Sequence, residues 1–293
     1  MDGSKRFAAV VVLKTHQIKS LGMSKLNEHD IASHIENLET LGFAHLPGFM
    51  DQQELETCRT VLQRQLADHK DARYPGYSEK RANDPQLFNL QNKNSCFLKL
   101  LSDPSLEKIL MGRLNDEWYP GIPEEAPNYI LGEYIARKSG DPLRLHIDSW
   151  MPSPGEMTWM MQVVFVMHDR GSEEGCTTVV PGSHISGKYS DRDYRDVQEL
   201  PVKAGDVAIW DSRLWHGARA NTSGKDAWVL VATLQRWWVK QRFDLVASMP
   251  ENIYNELSDR ERALIGYCSQ PPKDEFIGTD SRGGYERLPR EIL

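Results

Sequence analysis

From Asn128 onward the chain breaks into short runs of β-branched and aromatic residues, and this patterning constrains the fold more than any other feature. The runs read NYILGEYIA, LRLHID, TWMMQVVFVM, CTTVVPGSH, DVAIWD and AWVLVATLQRWW, and Gly, Pro, Asp and Ser separate them. The runs are strand-length and the separators are turn formers. No long stretch between them carries the apolar spacing of a helix. Strands this short and this numerous bury their apolar sides by stacking two sheets face to face. The expected fold is mostly β with flanking α-helices, a double-stranded β-helix or jelly-roll barrel.

The flanking helices are expected upstream and at the end. In NEHDIASHIENLETLGF, Ile31, Ile35, Leu38 and Leu41 fall at helical spacing, and LPGFM ends the run. DQQELETCRTVLQRQL opens with Asp51 and Glu54 at capping-box spacing, and Leu55, Cys58, Leu62 and Leu66 form its apolar stripe. A last helix is expected in PENIYNELSDRERALIGY, with Pro250 in its first turn. This divides the chain into an N-terminal extension over 1–22, a barrel domain with its helices over 23–245, and a C-terminal helix and tail over 246–293 that belong to the same domain or form a lid. The segment FAAVVVL reads as a strand or tail; it is short, Lys14 follows it, and no signal-peptide cleavage pattern appears.

Composition narrows the function classes. A net charge of -7 over 293 residues argues against a nucleic-acid binder, which would present a basic face. Cys58, Cys96, Cys176 and Cys268 are widely spread, with no C-x-x-C, and read as reduced thiols of a cytoplasmic protein. No apolar run approaches the roughly 20 residues of a membrane span. The sequence says nothing of oligomeric state.

Two H-x-D triplets compete for a metal. His69-Lys70-Asp71 lies where a helix runs out into a polar loop, and positions i and i+2 of a helix point to different sides. His146-Ile147-Asp148 lies in a strand-like run, where i and i+2 share a side, roughly 6–7 Å apart. Arg144 shares that side. The best candidate for a third ligand from another strand is His216, in AGDVAIWDSRLWHGARANTS; taken alone it reads as a core or strand-end histidine. Two imidazoles and a carboxylate on one side of an ion leave positions open opposite, an arrangement suited to non-haem Fe(II) oxygenases.

The pieces LHID, GCTTVVPGSH, LPVKAGDVAIWDSRLWHG and ANTS, together with LETLGFAHLPGFMDQQELE near the start, resemble the phytanoyl-CoA dioxygenase family in the family's order. The resemblance covers about Lys25 to Val239. It implies a cupin-like jelly-roll barrel with His146, Asp148 and His216 holding Fe(2+). It further implies 2-oxoglutarate as cosubstrate, O2 as oxidant, and hydroxylation or a related C–H oxidation of a small organic molecule, in a setting such as secondary metabolism. Asp148 separates the chain from related halogenases, which carry a small residue at that position.

One family feature is missing. An arginine normally stands about eleven residues after the distal histidine, as a fork for the cosubstrate's second carboxylate; here that position is Ala227. Lys225 and Arg144 are the sequence's candidates to replace it. Thr177 matches a position that helps bind 2-oxoglutarate in relatives; taken alone it is a strand threonine. Gln91 in FNLQNKNS resembles an upstream amide that does so in some relatives; taken alone it is a loop amide in water. Trp150 and Gln162 are candidates for the substrate pocket. Arg236, of opposite strand parity, is expected to face outward, and His168 and His184 read as turn residues. Two other readings stay open: an iron oxygenase that does not use 2-oxoglutarate, and a non-catalytic cupin-like binding protein. A zinc hydrolase is disfavoured, because no general base stands near the ligands.

Overall fold

The alternating runs of the second half all become strands. The computed structural model describes residues 25–68, 86–116, 127–149, 151–189, 194–270 and 275. Ahead of the barrel come α1 (Glu28–Thr40), β1 (Phe43–Leu46), α2 (Gln52–Asp68), β2 (Gln86–Phe88), α3 (Ser95–Leu101) and α4 (Pro104–Leu114). The barrel is built from β3 (Tyr129–Lys138), β4 (Leu143–His146), β5 (Met160–Val166), β6 (Thr177–Val179), β7 (Gln198–Leu200), β8 (Val207–Asp211), β9 (His216–Ala218) and β10 (Trp228–Arg236). The short helices α5 (Glu251–Tyr254) and α6 (Asp259–Ile265) follow.

Two sheets result, with strand orders β1-β8-β5-β10-β3-β2 and β4-β9-β6-β7. Every ladder is antiparallel. From β3 to β10 the chain passes back and forth between the two sheets, except that β6 and β7 form a hairpin within the smaller one, a double-sheet arrangement of the jelly-roll kind. The larger sheet gains β1 and β2 at its two edges, where they satisfy backbone groups that would otherwise stand open.

Local chemistry sets the helix ends. The Asn27 side chain accepts from Asp30 N–H at 2.9 Å and caps α1. Asp51 Oδ1 accepts from Glu54 N–H at 2.8 Å while Asp51 N–H donates to Glu54 Oε2 at 2.9 Å, the reciprocal box expected from their spacing. Of the α1 stripe, Ile31 and Leu38 are buried, but Leu41 is the exposed C-cap. The single C-terminal helix expected from the sequence is two. Ser258 accepts from Glu261 N–H, and Glu261 in turn accepts from Ser258 N–H at 2.8 Å. That second capping box starts a new helix at Asp259. Pro250 stands at the N-cap of α5 rather than inside its first turn.

The larger sheet is buried on both sides, with different chemistry on each. Its outer side packs Tyr134, Ala136, Phe165, Leu230 and Leu234 against Phe97, Leu101, Ile109 and Leu110 of the helices. Leu245, Ile253, Leu257 and Leu264 enter the same core, so the chain just past 245 is continuous with the barrel domain. A β-bulge at Gly132 makes this possible. The β3–β10 register shifts between Thr233 and Leu234, so Leu131 and Tyr134 face the helices while Glu133, Ile135 and Arg137 face the space between the sheets. A Cβ at 132 would lie 2.1 Å from Gln235 Oε1, so any larger residue there would have to displace the Gln235 side chain. The space between the sheets is divided along its length. Val166, Val179, Leu200, Val202 and Leu214 belong to an apolar cluster within it, and the rest is a cavity whose wall mixes charged and apolar side chains.

Candidate metal centre and its cavity

His146 ends β4, His216 begins β9, and the two are cross-strand partners in the smaller sheet. Their ring centroids lie 4.3 Å apart. Asp148 follows two residues on, where the chain leaves the strand. His146 Nε2 is 3.5 Å from Asp148 Oδ1, and His216 Nε2 is 3.4 Å from Asp148 Oδ2. One ligand atom from each residue lies within 4.8 Å of the other two.

Hydrogen bonding fixes the imidazole tautomers. His146 Nδ1 bonds the Arg144 carbonyl at 2.9 Å, and His216 Nδ1 bonds the Leu214 carbonyl at 2.9 Å. A carbonyl only accepts, so each Nδ1 carries a proton, and each ring in its neutral form offers an Nε2 lone pair. The two Nε2 atoms and the carboxylate face one another across one small space. A cation in that space satisfies all three, and two imidazoles with one carboxylate are the donor set that suits Fe(II). The residues therefore fit the implied metal.

The electrostatics follow from the same contacts. Burial opposes ionisation of Asp148, but His216 and then His146 outweigh it and hold the carboxyl at about 2. Burial pushes the basicity of His216 down. Burial also acts to lower His146, yet its hydrogen bond and attraction to Asp148 leave it raised. The positive charge of Arg137 is felt at both rings.

A buried frame holds the carboxylate in place. The N–H groups of Asp148 and Ser149 both donate to the Ser212 carbonyl, at 2.8 and 3.0 Å. Trp210 Nε1–H donates to Asp148 Oδ2 at 3.4 Å. Next to Ser212, Arg213 is only 2% exposed and clamps Asp211 with two side-chain bonds of 2.9 and 2.8 Å. Arg213 Nη1 also donates to the Gly155 carbonyl at 2.8 Å, and Thr158 Oγ1 donates to Asp211 Oδ2 at 2.8 Å. The stretch DSRLWH thus ties the loop after Asp148 to the turn before His216.

The three groups open onto a cavity of about 780 Å³ between the sheets. The structure brings Arg144, Thr177 and Gln162 to its wall. Arg144 is exposed on β4, whereas Gln162 is buried on β5 and accepts from Thr233 Oγ1 at 2.9 Å. Lys225 is not brought there. It stands on the surface before β10, its side chain 75% exposed and paired with Glu174 at 3.3 Å. Gln91 is neither a cavity amide nor a loop amide in water. It is fully buried in the 3-10 turn Leu90–Asn92, packed under the helices, and its Nε2 donates to Asn89 Oδ1 at 3.2 Å. Trp150 and the competing triplet at His69 and Asp71 lie outside the described residues. Arg236 points away from the cavity but is buried, with Nε donating to the Thr158 carbonyl at 2.7 Å. His184 bonds the Glu39 carbonyl at 3.1 Å, and His168 Nδ1 accepts from Trp228 N–H at 3.3 Å.

Several wall residues escaped sequence reasoning: Gln86, Glu133, Arg137 and Arg242. Strand parity could have found two of them. Glu133, Ile135 and Arg137 alternate in GEYIARK, and an interior arginine two residues from a strand end is a conspicuous charge. Arg242 donates to both oxygens of Glu133 at 2.9 Å, a pairing from distant segments that no local pattern announces.

A sequence model of the family described as phytanoyl-CoA dioxygenase (PhyH) matches residues 38–227. An uncharacterized protein of Mycobacterium bovis is 33% identical over 112 residues, which are 38% of this chain and 41% of that one. The match thus spans less than half of that relative's length. The dioxygenase af480 of Aspergillus fumigatus is 22% identical over 249 residues, covering 82% of this chain and 77% of that one. Among solved structures, HygX from Streptomyces hygroscopicus with nickel and 2-oxoglutarate bound has a TM-score of 0.56 at 18% identity, covering 71% of this chain and 88% of that one. That likeness shows a shared fold.

Proposed function

The chain belongs to the phytanoyl-CoA dioxygenase family, and on that premise we propose that it is an Fe(II)- and 2-oxoglutarate-dependent oxygenase acting on a C–H bond of a small organic molecule. The observation that carries this reading is the convergence of two imidazole Nε2 atoms and a carboxylate at the wall of a cavity between the sheets. His146, Asp148 and His216 would hold the iron. When bound, the iron with its cosubstrate and dioxygen supplies the oxidising power, coupled to decarboxylation of 2-oxoglutarate to succinate.

The chain's own residues orient and shield. The Leu214 and Arg144 carbonyls keep both Nε2 atoms aimed at the metal position, and the Ser212 carbonyl fixes the backbone that carries Asp148. Thr177 and Arg144 are our candidates for contacts to the cosubstrate, and Gln162 for the substrate pocket, since all three line the cavity. A volume of about 780 Å³ lies in the range of small-molecule sites, and is ample for a dicarboxylate beside a second small molecule. Hydroxylation and its relatives, such as desaturation or ring formation, share this arrangement and differ in where the substrate C–H is held.

The test is anaerobic loading with Fe(II), titration with 2-oxoglutarate, then exposure to air. The expected results are a visible charge-transfer absorption on chelation and succinate formation on aeration. Protein that takes up iron but neither binds nor decarboxylates 2-oxoglutarate would move the assignment to an iron oxygenase without that cosubstrate. Protein that retains no iron would move it to a binding protein.

A further inference from the structure

A dicarboxylate that chelates a metal through one end needs a cation for the other, and the position where the family supplies it holds a fully buried alanine, Ala227. From the cavity geometry we infer that Arg137 on β3 takes over this task, so that the anchor has moved across the ladder from β10 to its neighbour. The inference deepens the 2-oxoglutarate reading above and rests on it.

The register places the two positions side by side. Trp228 pairs with Lys138 and Val229 with Arg137. Ser139 N–H donates to the Ala227 carbonyl at 3.1 Å, which sets Ser139 opposite Ala227. Arg137 is therefore on the diagonal from Ala227, and diagonal neighbours in an antiparallel pair lie roughly 7–8 Å apart, within reach of a long side chain. Arg137 and Val229 both line the cavity. An arginine at either 137 or 227 can put its guanidinium into the same part of the barrel. The alanine keeps that part free of a second bulky side chain.

The other cavity arginines are less suited. Arg242 follows the end of β10, and Arg219 follows the end of β9 in the smaller sheet, so neither lies diagonal to Ala227. Arg170 lies outside the named strands, past the end of β5. Arg144 is exposed on β4, an edge strand of the smaller sheet. Arg137 is half-buried in the wall of the larger sheet and lines the same cavity as His146 and His216. A carboxylate one short carbon chain from the metal meets a planar fork there, the geometry that suits a two-point bond.

The experiment compares 2-oxoglutarate with 2-oxobutyrate, which keeps the chelating end and lacks the second carboxylate. Binding of each to Ni(II)-loaded protein is measured by calorimetry, without turnover. Wild type should prefer 2-oxoglutarate strongly. Arg137→Ala should weaken 2-oxoglutarate by about 10–100-fold, the range for losing a charge-assisted pair, and leave 2-oxobutyrate unchanged. Ala227→Arg in the Arg137→Ala background should recover most of the preference. Arg137→Lys, which keeps charge and bulk, serves if the alanine variant folds poorly, and should show a smaller loss confined to 2-oxoglutarate. Equal binding of 2-oxoglutarate by wild type and the variants overturns the inference. So does parallel loss of both acids, or a selective loss produced by Arg144→Ala instead. Wild type that binds neither acid overturns the cosubstrate reading itself, and the inference with it.

Discussion

The two sides of β3 and β10 carry the same strands, the same register and opposite tasks. On the outer side Tyr134, Ala136, Leu230, Ala232 and Leu234 are completely buried against helices. On the inner side the same strands present Glu133, Arg137 and Thr233 to the cavity. The difference teaches that stability and chemistry are assigned to alternate residues. Apolar burial on the outer side holds the sheet rigid, at roughly 1.5–3 kcal/mol for each large side chain. The inner side can then tolerate charges that a two-sided apolar sheet could not. If this division is real, inner substitutions should change ligands and leave the fold, and outer substitutions should do the reverse.

The largest effect expected is on the inner side. Asp148→Ala removes the carboxylate that faces the two Nε2 atoms, and should abolish both metal retention and succinate formation. The loss should exceed the 10–100-fold typical of an outer partner of a ligand. Thermal melting of the metal-free variant should stay close to wild type, because Asp148 contributes nothing to the apolar core. Wild-type iron content in purified Asp148→Ala would sink the ligand assignment.

Arg213→Met tests the one place where the division breaks down. Arg213 and Asp211 are buried, yet they frame the turn between Asp148 and His216. Removing the guanidinium strands a buried carboxylate, which should cost about 3–5 kcal/mol in urea unfolding. Metal affinity should fall as well, since the Ser212 carbonyl would lose its support. A variant with unchanged stability would show that the pair is not desolvated as its burial implies. On the outer side, Leu230→Ala should cost about 2–5 kcal/mol, and the folded protein should bind 2-oxoglutarate as wild type does. Weakened binding with little loss of stability would mean that the outer core shapes the cavity directly.

This alternation also explains what could be read in the sequence. The strands were legible because apolar runs bounded by turn residues need no tertiary information, and the Asp51–Glu54 box was legible because capping is local. His146 and Asp148 could be paired because strand parity sets both on one side; the Gly205-Asp206 turn upstream of His216 leads into β8, and His216 itself begins β9 in the other sheet, beside His146. Ser258 restarting a helix after Pro250 is equally local, but the apolar spacing of the whole segment concealed it. Arg137 was hidden for a different reason. Its relation to Ala227 exists only once the β3–β10 register is known, and the Gly132 bulge shifts that register within the same ladder. The burial of Gln91 was not legible because its turn packs against α3 and β3, which spacing along the chain does not reveal.

The smallest expected effect separates sequence spacing from three-dimensional position. Lys225 lies two residues before Ala227 and shares its parity, which made it a natural substitute for the missing arginine. Parity holds only while the chain is a strand, and β10 begins at Trp228. Before that point the chain is a surface turn, in which Asn221 Nδ2 donates to the Lys225 carbonyl at 2.9 Å and the Lys225 side chain turns to Glu174. An exposed pair of this kind contributes little and is screened by salt. Lys225→Ala should therefore leave the urea midpoint, the affinity for 2-oxoglutarate and its preference over 2-oxobutyrate unchanged. A selective loss for 2-oxoglutarate in Lys225→Ala would place the anchor on a surface turn. The assignment of binding groups to the inner side of the larger sheet would then fail where it matters most.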